Sequence, residues 1–152
     1  MTQFLLDTNI CVYLLKNEFD LVQRLKQVGY ANCFLSELTI AEMLYGVANS
    51  APAKQAANRQ ALEYLQQSFA GRILPINSCF EYYAEQKVHL KRTGRLQGEF
   101  DMLIGCTALA HDLTLVTHNT RHFADLTGIR LENWIDDAEA QKLGVALSPK
   151  VI

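Results

Sequence analysis

Short, nearly wholly apolar runs set between helical stretches constrain this chain more than any other feature of it. Residues 3–6, 33–35, 72–75 and 113–117 are runs of this kind, and residues 129–131 offer a fifth. Helical stretches are predicted between them, over residues 10–16, 19–28, 36–49, 52–69, 78–93 and 99–111. Local signals punctuate the pattern. Ser36 and Ser78 stand where a helix N-cap is wanted, Pro52 suits a first turn, and Gly29, Gly71 and Gly94 suit helix ends. Strands this short, without a polar alternate, belong in a sheet buried on both faces. The order of elements therefore predicts an α/β domain with a central parallel sheet of four to five short strands flanked by helices. In such sheets a ligand sits beyond the carboxyl ends of the strands.

At 152 residues the chain is read as one domain over 1–135, followed by a tail over 136–152. Apolar residues make up 49% and charged residues 20%, which excludes a disordered chain. The formal net charge of −2 excludes a broadly cationic nucleic-acid binder but leaves room for a local basic face. Cys11, Cys33, Cys79 and Cys106 form no C-x-x-C pair and lie among apolar neighbours, so they are read as core thiols. No basic residue precedes the apolar N-terminal run, and Asp7 and Asn9 interrupt it. A secretory signal and a membrane span are therefore not expected, and a cytoplasmic location is.

Three carboxylates stand out. Asp7 ends the first apolar run, where it can cap the next helix or serve chemistry. Glu42 lies in Leu38-Thr39-Ile40-Ala41-Glu42-Met43-Leu44 with apolar neighbours on most sides. Asp101 sits in the most apolar helix of the chain, where a carboxylate must find a partner, a metal or a cleft. Gly46 follows Glu42 by four residues and Gly105 follows Asp101 by four. Side chains at i+4 lean over position i, so these glycines would leave each carboxylate uncovered; close helix packing explains them equally well. Converging carboxylates repel unless a cation compensates, and an all-oxygen donor set suits Mg²⁺, with Mn²⁺ as its substitute. Such an ion polarises a phosphate oxygen and activates water. Lys87, Lys91, Arg92, Arg95 and Arg121 are candidates for holding phosphates around the acidic centre, or simply a solvated face.

These segments resemble the PIN-domain family, and its VapC toxins above all. Leu5-Leu6-Asp7-Thr8-Asn9-Ile10 is similar to the family's opening, and residues 36–46 to its second motif. Asp101-Met102-Leu103-Ile104-Gly105 is similar to the third motif, residues 115–123 to the fourth, and Leu131-Glu132-Asn133-Trp134 to the ending. The resemblance spans residues 3–134 in the order the family requires. It implies a PIN-like three-layer domain and a metal-dependent endoribonuclease. It further implies a toxin silenced by a cognate VapB-type antitoxin, in a complex built on toxin homodimers. By motif match Asp7 and Asp101 would bind the metal directly. Glu42 would complete the site and Asn119 would take the fourth polar position, with Thr8, Asn9 and Thr117 in support. His122 departs from the pattern, because an acidic residue often precedes Phe123 in the family. Imidazole is a poor Mg²⁺ ligand and a better one for Mn²⁺, so a second metal site is in doubt.

Two other classes compete with this reading. An aspartate-nucleophile phosphohydrolase needs an acid two residues after its nucleophile, and that residue here is Asn9. A PIN-like protein that binds RNA or a partner without cutting would be free to lose its carboxylates, yet all three are present.

Overall fold

The computed structural model describes residues 1–135; the predicted tail over 136–152 lies outside them. Five parallel strands form one sheet in the order β3-β2-β1-β4-β5: β1 Phe4–Leu6, β2 Cys33–Ser36, β3 Ile73–Leu74, β4 Thr114–Val116 and β5 Leu131–Glu132. The central pairings set Phe4 against Cys33 and Thr114, and Leu6 against Val116. Among the described residues six helices cover the sheet: α1 Thr8–Leu15, α2 Leu21–Val28, α3 Glu37–Ala48, α4 Pro52–Ser68, α5 Phe80–Arg92 and α6 Glu99–Ala110.

The pleat divides β1 between two cores. Phe4 and Leu6 face one side, with Leu21, Leu25, Met43, Leu62 and Leu65 of α2–α4. Leu5 faces the other, with Leu90, Met102, Ile104 and Leu115. A sheet with an apolar core on each face is the three-layer arrangement expected from the strand pattern. All four cysteines are buried free thiols, as their apolar settings foretell. No helix among the described residues is long and apolar enough to cross a membrane.

Several local expectations shift. The second helix begins at Leu21, not at residue 19, because Phe19 and Asp20 adopt left-handed φ values of 58° and 53°. Phe19 keeps that conformation while its buried ring packs edge-on against Tyr13 at 5.0 Å. Ser78 does not cap α5. It sits in a 3-10 turn over Ile76–Cys79, where its hydroxyl donates to the Pro75 carbonyl and lies 2.8 Å from His111 Nε2. The fifth strand is Leu131–Glu132, slightly later than the apolar run suggests, because Leu115 N–H reaches the carbonyl of Arg130 and Thr117 N–H that of Glu132.

Candidate functional site

The middle strands β1, β2 and β4 end together, and each hands the chain to a polar residue. Asp7 leaves β1 with its N–H on the Val116 carbonyl, 2.9 Å away. Its extended backbone makes it the N-cap of α1, where Oδ1 accepts from Thr8 N–H at 2.8 Å. The Thr117 hydroxyl, one residue past β4, donates to Asp7 Oδ2 at 2.8 Å. The capping role weighed for Asp7 is therefore present, and it leaves Oδ2 turned to Thr117 and not to the helix.

Ser36 ends β2 and caps α3 through Leu38 N–H. This starts the helix that carries Thr39 and Glu42 one turn in. The Thr8 hydroxyl donates to Glu42 Oε1 at 2.7 Å and lies 3.1 Å from Thr39 Oγ1. Asp101 comes from the first turn of α6, and its Oδ2 lies 3.3 Å from His122 Nδ1. His122 therefore faces the site.

The electrostatics explain what this gathering costs. Asp7 is only 5% exposed, and burial pushes its carboxyl up to about 7. The Thr117 hydroxyl and the Thr8 N–H oppose that rise, while Asp101 and Glu42 add to it. Glu42 is raised chiefly by burial, against the Thr8 hydrogen bond, and Asp101 adds to the rise. Asp101 is also raised by burial, and the His122 imidazole works against the rise. Asp7 thus senses both other carboxylates and Glu42 senses Asp101, and among the described residues no lysine or arginine is paired with any of the three.

A divalent cation fits this donor set, since it supplies positive charge to one buried and two half-buried carboxylates. As they stand, no group of three or more His, Cys, Asp or Glu side chains among the described residues is set to hold a metal ion. An ion would have to draw the carboxylates closer together.

The supporting residues fall into place unequally. Asn9 Nδ2 reaches Thr117 Oγ1 at 3.3 Å and Asp7 Oδ2 at 3.5 Å, and its Oδ1 accepts from His118 N–H. Asn119 touches this network through its backbone N–H, which donates to Thr117 Oγ1. Thr39, fully buried at the centre, was not singled out by sequence reasoning. Its signal was available: it lies three residues before Glu42, on the same helix face.

Lys87 is held by Glu99 at 2.6 Å and Arg95 by Asp125 at 3.3 Å, whereas Lys91, Arg92 and Arg121 are exposed. Exposed ion pairs are weak, so phosphates could compete for both held cations. Of the two readings of the glycines, close packing is seen at Gly105. A Cβ there would lie 2.3 Å from Leu126 Cδ1 and 3.2 Å from Phe123 Cδ1, so the close packing of the segment after β4 on α6, the other reading of this glycine, is what the structure shows.

Residues 4–129 match the PIN domain family. Ribonuclease VapC2 of Rickettsia felis is 34% identical over 136 residues, covering 86% of this chain and 97% of its own. The tRNA(fMet)-specific endonuclease VapC of Shigella flexneri is 31% identical over 137 residues, covering 88% and 99%. Among solved structures, VapBC2 from Rickettsia felis bound to a DNA fragment from its promoter superposes with a TM-score of 0.77. It is 31% identical and covers 88% of this chain and 99% of that one.

Proposed function

Because the chain belongs to the PIN-domain family, in its VapC ribonuclease branch, we propose that it is a divalent-metal-dependent endoribonuclease and the toxin of a toxin–antitoxin pair. The observation that carries the chemistry is the meeting of Asp7, Glu42 and Asp101. They come from three elements, at the carboxyl edge of the sheet, and among the described residues His122 beside Asp101 is the one basic side chain paired with any of them.

Asp7, Asp101 and Glu42 would hold Mg²⁺, or Mn²⁺ in its place. When bound, such an ion polarises a phosphate oxygen and makes water a better nucleophile. The protein's own groups do the positioning. Thr117 and Thr8 N–H fix both oxygens of Asp7, and the Thr8 hydroxyl fixes Glu42, so the carboxylates are oriented before RNA arrives. His122 beside Asp101 is placed to donate an N–H to that carboxylate or to a phosphate oxygen. Arg121, Lys91 and Arg92, with Lys87 and Arg95 once released from their ion pairs, offer sites for the flanking phosphates.

A cytoplasmic nuclease of this kind has to be restrained, and the partner proposed is a VapB-type antitoxin. The solved structures of VapBC from Salmonella typhimurium and Rickettsia felis are such complexes. A toxin homodimer within the complex belongs to the same proposal.

The test is cleavage of RNA by the purified chain, freed of any partner, with Mg²⁺ or Mn²⁺ and with chelator. Asp101→Asn should keep the fold and lose at least about 100-fold in rate, more than loss of a residue that merely supports a ligand. Undiminished cleavage by Asp101→Asn, or in chelator, would overturn the metal mechanism.

A further inference from the structure

Thr8 stands between two side-chain oxygens. Its hydroxyl lies 2.7 Å from Glu42 Oε1 and 3.1 Å from Thr39 Oγ1. A hydroxyl carries one proton and two lone pairs, so Thr8 cannot donate to both. A carboxylate oxygen is the stronger acceptor, and the bond to it is the shorter of the two. The Thr8 proton therefore goes to Glu42, and the bond between the two threonines must be made by the proton of Thr39.

The setting of Thr39 agrees. Thr107, in α6, turns its hydroxyl back onto the Leu103 carbonyl of its own helix. Thr39, in the first turn of α3, turns across to α1 instead, and among the described residues Thr8 is the hydrogen-bond partner of its hydroxyl. Thr39 is fully buried and Thr8 is 6% exposed, so water does not supply a substitute. Branching at Cβ leaves Thr39 few rotamers in a helix, and the Ser36 cap fixes where that helix starts.

What Thr8 touches makes its orientation matter. Its N–H donates to Asp7 Oδ1 and its hydroxyl to Glu42 Oε1, so one residue sets two of the three carboxylates. A hydroxyl that accepts one hydrogen bond also donates a stronger one. Among the described residues no hydrogen bond reaches Glu42 Oε2, which leaves that oxygen for an ion.

We propose that Thr39 is a positioning residue of the carboxylate site: its buried hydroxyl donates to Thr8 and so commits the single proton of Thr8 to Glu42. Thr39 touches neither ion nor RNA and acts through Thr8. Its effect on metal binding rests on the metal-dependent reading of the site; the direction of the hydroxyl chain does not.

The full chain, freed of any partner, tests this with two variants. Thr39→Val replaces the hydroxyl with a methyl of the same shape, and Thr39→Ser keeps the donor. Thr8→Val, alone and combined with Thr39→Val, completes a double-mutant cycle. Thr39→Ala repeats the test if valine disturbs the packing. The metal-free readout is the side-chain carboxyl carbon of Glu42 by NMR at pH 8. Its resonance should shift in Thr39→Val, return toward the wild-type position in Thr39→Ser, and stay put when Thr39→Val is added to Thr8→Val. Calorimetric Mg²⁺ affinity should fall roughly tenfold in Thr39→Val, as is usual for a residue that supports a ligand, and no further in the double variant than in Thr8→Val. Additive losses, or an unmoved Glu42 resonance in Thr39→Val, would overturn the proposal and leave Thr39 as helix packing. A wild type that binds no Mg²⁺ while its Glu42 resonance responds as expected would instead overturn the metal reading and keep the hydroxyl chain.

Discussion

Replacing Asp7 with asparagine should make the metal-free protein more stable at pH 8 and flatten its response to pH. Burial raises the folded carboxyl from an ordinary 3.8 to about 7, and at about 1.36 kcal/mol per pH unit this disfavours the ionised form by about 4 kcal/mol. The direction follows from proton linkage. Between about pH 4 and pH 7 the folded chain holds a proton that the unfolded chain has released, so stability falls as pH rises through that window. Above about pH 7 the full destabilisation is present. From pH 5 to pH 8 the wild type should therefore lose roughly 2–3 kcal/mol through Asp7, near 1 M in urea midpoint for a protein of this size. Glu42 and Asp101 are raised as well and add to the trend.

Asparagine keeps an oxygen for Thr8 N–H and presents an amide to the Thr117 hydroxyl, which can turn to accept. The rearranged contacts, including the long one from Asn9, should cost about 1–2 kcal/mol. Net, Asp7→Asn should be more stable than wild type by roughly 2–3 kcal/mol at pH 8, and less so at pH 5. Urea denaturation at both pH values, with chelator, measures this. A wild type whose stability is flat or rising from pH 5 to pH 8, with a parallel Asp7→Asn curve, would refute the reasoning.

Three further outcomes are expected. Thr8→Val should lower RNA cleavage by about 10–100-fold, because it removes the hydroxyl that positions Glu42 at 2.7 Å, while costing about 1–2 kcal/mol of stability; cleavage kinetics beside a thermal melt separate the two effects. Gly105→Ala should destabilise by about 1–3 kcal/mol despite the better helix former, since its methyl would meet Leu126 at 2.3 Å; a chemical denaturation midpoint at or above that of wild type would contradict it. His122→Glu should tighten Mg²⁺ binding by setting another carboxylate beside Asp101, and should lower metal-free stability at pH 8; equal calorimetric affinities in the two proteins would mean that the position takes no part in holding the ion.

What the sequence by itself determined was local. Alternation of short apolar runs with helices specifies a buried parallel sheet, because only that sheet needs apolar residues at every strand position, as at Phe4, Leu5 and Leu6. A carboxylate in an apolar helix, as at Asp101, singles itself out as a candidate because such a group has to find a partner or a cleft, and the structure gives it His122. The start of α2 escaped this reading, since the left-handed backbone at Phe19 and Asp20 is held by ring packing on Tyr13, a tertiary contact. Gly105 escaped it for the same reason: the side chains that forbid a Cβ there come from Phe123 and Leu126, later in the chain. Only the tertiary structure decided that Asp7, Glu42 and Asp101 meet. The strand order puts β1 between β2 and β4, which brings Thr117 within 2.8 Å of a carboxylate 110 positions earlier and Thr39 beside Thr8. Strand order depends on pairing between distant segments, and no local spacing along the chain encodes which ends will be neighbours.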